Sequence, residues 1–277
     1  MYKKGSAIME RKEMIMKRVQ EHYDHLISRG FNVAFVALQG SQNYGLDIYT
    51  DEYTSDIDTK AVIIPTLRDI ALGEAPFSTT LVLENNEHID VKDIRMMREM
   101  WKKQNISYLE LLFTEFKIVN PKYASITSDL YANADEIAAF NHIALFKGIK
   151  GMALEKQKAL CHPYPNTIAK IEKYGYDPKQ LHHILRLFEV VASLRDGESL
   201  RDCFISGNRD LLIKVKCGLF TLEDALKISE SFVRQVSGIC DTLAAEYRPI
   251  NEGIKPFLDT ITLNYIETSI RQELSET

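Results

Sequence analysis

Apolar residues recur at helical spacing between Ala7 and Arg29, at Ile8, Ile15, Val19, Tyr23, Leu26 and Ile27. This predicts an amphipathic helix stopped by Gly30. The pattern then changes. Val33-Ala34-Phe35-Val36-Ala37-Leu38 is an unbroken apolar run, as in a strand buried on both faces, and Gly40-Ser41 ends it. A second strand is predicted over Asp56–Ile64, stopped by Pro65, and two shorter ones, Thr80–Leu83 and His88–Lys92, flank the polar turn Glu84-Asn85-Asn86-Glu87. Beyond Asp93 the periodicity is helical almost to the end. Helices are predicted over Ile94–Gln104, Ser107–Phe113, Asn133–Leu160, Pro178–Arg195, Arg209–Val215, Leu222–Tyr247 and Pro256–Leu274. Ser107, with Glu110 three residues on, reads as a capping box. Strands followed by helices divide the chain into an α/β (α+β) unit over residues 1–120 and a helical domain over 121–277.

Composition narrows the class. The chain has 277 residues, 45% hydrophobic and 26% charged, which excludes a disordered chain. Its 34 basic and 39 acidic residues give a net charge of −5, which argues against coating nucleic acid or anionic membrane by bulk charge. Cys161, Cys203, Cys217 and Cys240 are far apart and form no zinc-type pair, so they read as reduced packing residues. Lys3 and Lys4 are followed by no apolar stretch of signal-peptide type, and no run approaches the ~20 residues a membrane span needs. The expectation is a soluble, cytoplasmic protein with no membrane partner.

Candidate chemistry lies between residues 38 and 91. On a strand starting at Asp56, Asp56 and Asp58 project from one face, with like charges that call for a cation between them. Asp90, flanked by Ile89 and Val91, completes a three-carboxylate cup if its strand lies alongside; Glu87 or Asp93 replaces it if the register slips. Hard oxygen ligands in that number favour Mg²⁺, with Mn²⁺ as an alternative. Upstream, Gly40 lets the backbone approach a ligand, Ser41 adds a hydroxyl, and a short helix starting there would supply amide donors for an anion. Phosphate at one end and carboxylates at the other describe a nucleoside triphosphate site, in which a hydroxyl attacks the α-phosphate and two metal ions assist.

These residues carry a resemblance. Gly40-Ser41, Asp56-Ile57-Asp58 and Ile89-Asp90-Val91 resemble the DNA polymerase beta-type nucleotidyltransferase superfamily, and the Gly-Ser-x-x-x-Gly-Leu form with Ser55 is similar to its small members. Further stretches are similar to bacterial and phage nucleotidyltransferases associated with RNA repair. They are Asp90-Val91-Lys92-Asp93, Asn105 to Phe113, and Gly175-Tyr176-Asp177-Pro178-Lys179 leading to His182-His183-Ile184-Leu185-Arg186-Leu187. The resemblance spans roughly residues 33 to 197. It implies a nucleotidyltransferase-type mixed sheet with flanking helices followed by a mostly helical domain, and Mg²⁺-dependent transfer of a nucleoside monophosphate. Asp56, Asp58 and Asp90 would bind metal, with Asp90 nearest the attacking hydroxyl, and Gly40 and Ser41 would hold the triphosphate. RNA ends, protein hydroxyls and small antibiotics stay open as acceptors, with RNA favoured. A few residues between Leu46 and Ser55 exceed the usual length, in an acidic loop.

Each motif has a plainer alternative. Asp-x-Asp occurs by chance at solvated strand ends, and Gly-Ser is a common turn. Lys179, His182, His183 and Arg186 fall on two adjacent helix faces, which fits either solvated side chains or contacts to nucleotide or acceptor phosphates. Lys147, Lys150, Lys156 and Lys158 would extend that basic surface or simply be solvated. Trp101 reads as packing. The competing function is a nucleotide- or protein-binding module, for example a toxin–antitoxin partner, using the same fold without turnover.

Overall fold

The computed structural model describes residues 2–49, 54–246 and 251–275. Helix α1 (Tyr2–Ser28) leads into strand β1 (Val33–Leu38), and β2 (Thr59–Ile63), β3 (Ser78–Val82), β4 (His88–Asp93) and β5 (Lys117–Val119) complete a five-stranded sheet in the order β3-β4-β2-β1-β5. β2 and β4 run parallel; the other pairs are antiparallel, so the sheet is mixed. Between and after the strands come α2 (Leu67–Ala71), α3 (Ile94–Lys102), α4 (Ile106–Leu109), α5 (Ala124–Ala132), α6 (Ala134–Ala139), α7 (His142–Ala159) and α8 (Ile168–Tyr174). They are followed by α9 (Pro178–Arg195), α10 (Leu200–Cys203), α11 (Arg209–Lys216), α12 (Leu222–Glu246) and α13 (Ile254–Ser275). The expected mixed sheet with flanking helices and a mostly helical remainder is what the chain forms. No helix among the described residues is long and apolar enough to cross a membrane.

Alternation along the strands sorts the core. Ala61, Ile63, Ile89 and Val91 face α1, where they join Ile15, Val19 and Leu26. Val62 and Ala37 face the other way, into the core built by α3, α7, α9, α12 and α13. Lys60 and Asp90 are register partners that share this second face. Lys60 of β2 and Asp90 of β4 therefore face the helical part of the chain, while Thr59 of β2 faces α1.

Several sequence expectations shift. β2 starts at Thr59, not Asp56, because its partner β1 ends at Leu38. Gly40, at φ +82, turns the chain away after one last bond from Gln39 N–H to the Asp58 carbonyl. Asp56 has no strand opposite it and lies beyond the ladder. Residues 41–45 form a turn, not a short helix, closed by Tyr44 and Leu46 N–H to the Ser41 carbonyl. The cap before α4 is Asn105, which accepts from Ser107 N–H at 3.1 Å, so Ser107 and Glu110 make no capping box. The long helix expected from Asn133 is divided into α6 and α7, and Asn141 caps the second part. Thr50–Tyr53 of the acidic loop and Tyr247 lie outside the described residues.

Candidate active site

β1 runs antiparallel to β2, and β2 parallel to β4, so the end of β1 and the starts of β2 and β4 meet at one edge of the sheet. That edge carries Gly40 and Ser41, then Asp56 and Asp58, then His88 and Asp90. A cavity of about 290 Å³ opens beside it. Gln39, Gly40, Ser41 and Lys60 form its sheet side, Glu110 its base, and Lys156, His182, His183 and Arg186 of α7 and α9 its opposite wall.

Of the residues singled out in the sequence, Gly40, Ser41, His182, His183 and Arg186 thus come together across a span of more than a hundred positions. The solvated alternative fails for three of the four on α9. His182 and Arg186 are buried, and His183 is half-buried. Lys179 is exposed and does not line the cavity, although its charge acts on Asp56. Of the lysines on α7, Lys156 reaches the cavity, Lys147 and Lys158 are exposed, and Lys150 pairs with Asp241 at 2.7 Å. Trp101 is fully buried, as expected of a packing residue.

The carboxylates do not form one cup. Burial and the neighbouring Asp58 both raise the Asp56 pKa, while Lys179 opposes them. Asp58 Oδ1 accepts from the His88 backbone N–H at 2.8 Å and faces His88 Nδ1 at 3.2 Å. Asp90 is held separately: Lys92 Nζ lies 2.8 Å from its Oδ1, and the Tyr108 hydroxyl donates to its Oδ2 at 3.0 Å. Among the described residues no three His, Cys, Asp or Glu side chains are gathered to hold one metal ion. The three-carboxylate cup is corrected to a close pair, Asp56 and Asp58, and a third acid on the same face under its own cation.

The alternatives to Asp90 are excluded. Glu87 points to the α1 side, accepting from Arg18 and lying 3.0 Å from His22 Nε2, and Asp93 caps α3 while paired with Arg95. The donor set fits a hard cation through the Asp56–Asp58 pair. Burial, and then Asp58, hold Asp56 toward its neutral form, and a divalent ion between the two acids would relieve both. Asp90 would join only by releasing Lys92.

Sequence reasoning missed several residues here. Lys60 sits inside the apolar run of β2, is 5% exposed, and is driven down to about 8 by burial against the pull of Asp90. It hydrogen-bonds Gln39 and lies 3.9 Å from Glu110. Lys216 of α11 extends Nζ to 3.5 Å from the Ser41 hydroxyl, the Ser55 hydroxyl and the Leu46 carbonyl. Burial, and then Lys179, lower its pKa to about 8. On the far side of the turn, Arg11 of α1 makes a bidentate pair with Asp47, both bonds 2.8 Å, and donates to the Gln42 carbonyl at 2.9 Å. Thr59 Oγ1 and Glu87 hold the ring of His22 from either side. A lysine inside an apolar strand was a usable signal; the others become visible only in three dimensions.

His182 and His183 do not titrate near neutrality. Burial takes His182 down to about 4 despite its contact with the Leu212 carbonyl, and burial and then His182 hold His183 well below its ordinary value. Both directions run against the expected effect of His183 on a pH profile between about 5 and 8.

No family model matches the chain, and no curated protein does. Among solved structures, a nucleotidyltransferase-like protein from Exiguobacterium sibiricum 255-15 is 15% identical. It covers 94% of this chain and 92% of its own, with a TM-score of 0.33.

Proposed function

We propose that the chain is a Mg²⁺-dependent nucleotidyltransferase, moving a nucleoside monophosphate from a nucleoside triphosphate to an acceptor hydroxyl with release of pyrophosphate. The observation that carries this is that the Gly40–Ser41 turn, which lines a cavity with Lys60, Lys156 and Arg186, sits at the same strand ends as Asp56 and Asp58, which lie outside that lining. Ser41 and Lys216 would bind phosphate oxygens, and Lys60 and Arg186 would balance their charge from within the cavity. Asp56 and Asp58 would hold the metal ion, which when bound neutralises charge on the leaving pyrophosphate. The acceptor oxygen forms the new bond to the α-phosphorus as the bond to pyrophosphate breaks, and Asp90 is the carboxylate proposed to take the acceptor's proton. RNA is the proposed acceptor on the sequence resemblance alone, and one fold serves many acceptors.

One observation favours the non-catalytic binding module: Asp90 is engaged by Lys92 on one oxygen and by the Tyr108 hydroxyl on the other. The two readings separate by experiment. Pyrophosphate release is measured with each nucleoside triphosphate against RNA, protein and small-molecule acceptors, for the wild type and for Asp58→Asn. Transfer that is lost in a folded Asp58→Asn supports the enzyme. Nucleotide binding without release in every combination replaces it with the binding module.

A further inference from the structure

Glu110 is an acid in a basic cavity. Its side chain is 7% exposed, and Oε1 accepts from Gly40 N–H at 3.3 Å and lies 3.9 Å from Lys60 Nζ. The groups around it are Lys60 from β2, Lys156 from α7, and His182, His183 and Arg186 from α9. A backbone amide at a glycine turn, a lysine and an arginine are the donors that a phosphate group would use. Here a carboxylate of the chain itself meets the amide and lies near the lysine, while Arg186 is held by Glu189 at 3.1 Å and by the Cys203 carbonyl.

We propose that Glu110 is the resident anion of the phosphate subsite: it occupies Gly40 N–H and Lys60 until a polyphosphate displaces it, and the exchange requires its carboxyl to carry a proton. The proposal rests on the phosphate reading of the Gly40–Ser41 turn and deepens it by giving the site a pH-gated preference for polyphosphate chains. The physics is a competition for donors. Two anions cannot share one desolvated pocket, so the incoming phosphates either meet a neutral Glu110, able to donate a hydrogen bond to them, or are repelled. Burial already pushes the Glu110 carboxyl up to about 8, with Gly40 N–H and Arg186 opposing it. The two histidines lie below the relevant range and Arg186 stays charged, which leaves Lys60 in the cavity and Lys216 beside Ser41 as the other groups driven into the same window, Lys216 being common to every protein compared.

The test is binding of the Mg²⁺ complex of inorganic tripolyphosphate by isothermal calorimetry, from neutral to alkaline pH, for wild type and Glu110→Gln. Both are also measured with Lys60→Arg, whose charge is constant, and ionisation of the probe cancels between proteins. The wild-type to Glu110→Gln affinity ratio should fall by about ten-fold per pH unit once Glu110 ionises. Heats in buffers of different ionisation enthalpy should show the wild type taking up more protons than the variant. A flat ratio, or a Glu110→Gln that binds more weakly with unchanged proton uptake, overturns the proposal and leaves the phosphate reading standing. No tripolyphosphate binding by either protein overturns both. If Glu110→Gln fails to fold, proton uptake is measured on the Lys60→Arg/Lys216→Arg protein, because Lys216 also lies near 8, and its absence above neutral pH refutes the gate.

Discussion

Removing Arg11 should loosen the turn that follows Gly40, on which it is anchored through Asp47 and Gln42. Its guanidinium holds both oxygens of Asp47 and the carbonyl of Gln42, bracing residues 42–47 against α1. Arg11→Ala strands a carboxylate whose side chain is 6% exposed, while Arg11 itself is 28% exposed. Breaking a fully buried pair costs about 3–5 kcal/mol, and water on the Arg11 side reduces the expectation to about 2–3 kcal/mol. Equilibrium urea unfolding gives the loss directly. The Arg11→Ala/Asp47→Asn double variant should recover about 1–2 kcal/mol of it, because the stranded charge is gone. Nucleotide affinity should fall in the single variant, since the turn carrying Ser41 has lost its brace. A loss under about 0.5 kcal/mol, the range of exposed pairs, would refute the idea that this ion pair braces the turn.

Two further outcomes are expected. Gly40→Ala should lower stability by about 1–2 kcal/mol, because φ +82 is costly for a residue with a Cβ even though that atom would meet open space; an unchanged melting temperature would show that the turn relaxes. Stability should also decline as pH drops below 6.5. Burial holds His22 neutral in the fold against the pull of Glu87, so its contribution is full above 6.5 and is lost on acidification. His142, His182 and His183 add to the same loss. Glu87 extends it to lower pH: burial would raise its pKa, but bonds from Arg18, Asn85 and His22 outweigh that and lower it. His22→Gln should flatten part of the slope in a melting-temperature series, and an unchanged slope would place the effect elsewhere.

Local patterning revealed what local forces decide. The all-apolar run of β1 and the Asp177-Pro178 start of α9 correspond residue for residue to the elements formed. Partners distant in sequence decide the rest. β2 is short because β1 ends, and the three-residue β5 exists because β1 has a free edge, which no periodicity over Lys117–Val119 signals. The break between α6 and α7 is fixed from α3's end: the buried Gln104 donates to the Ile137 carbonyl at 2.7 Å and accepts from Asn141 N–H at 3.4 Å. In the site, the Gly40–Ser41 turn and the acids were readable because they cluster within fifty residues. Lys216, Arg11 and Glu110 acquire their roles only when α11, α1 and the turn after α4 close on that segment. At Asp90, where the cup failed, the cause is local instead, since Lys92, two residues on along the same strand face, pairs with it.

The single tryptophan gives the protein a built-in optical channel. Trp101 is sealed in the core, its indole N–H donates to the Tyr108 carbonyl at 3.2 Å, and the Tyr108 hydroxyl in turn binds Asp90. All indole emission therefore originates from one position, linked through a single tyrosine to the third acid of the site. Fluorescence from the unlabelled chain thus reads the surroundings of Trp101 alone, without any attached dye.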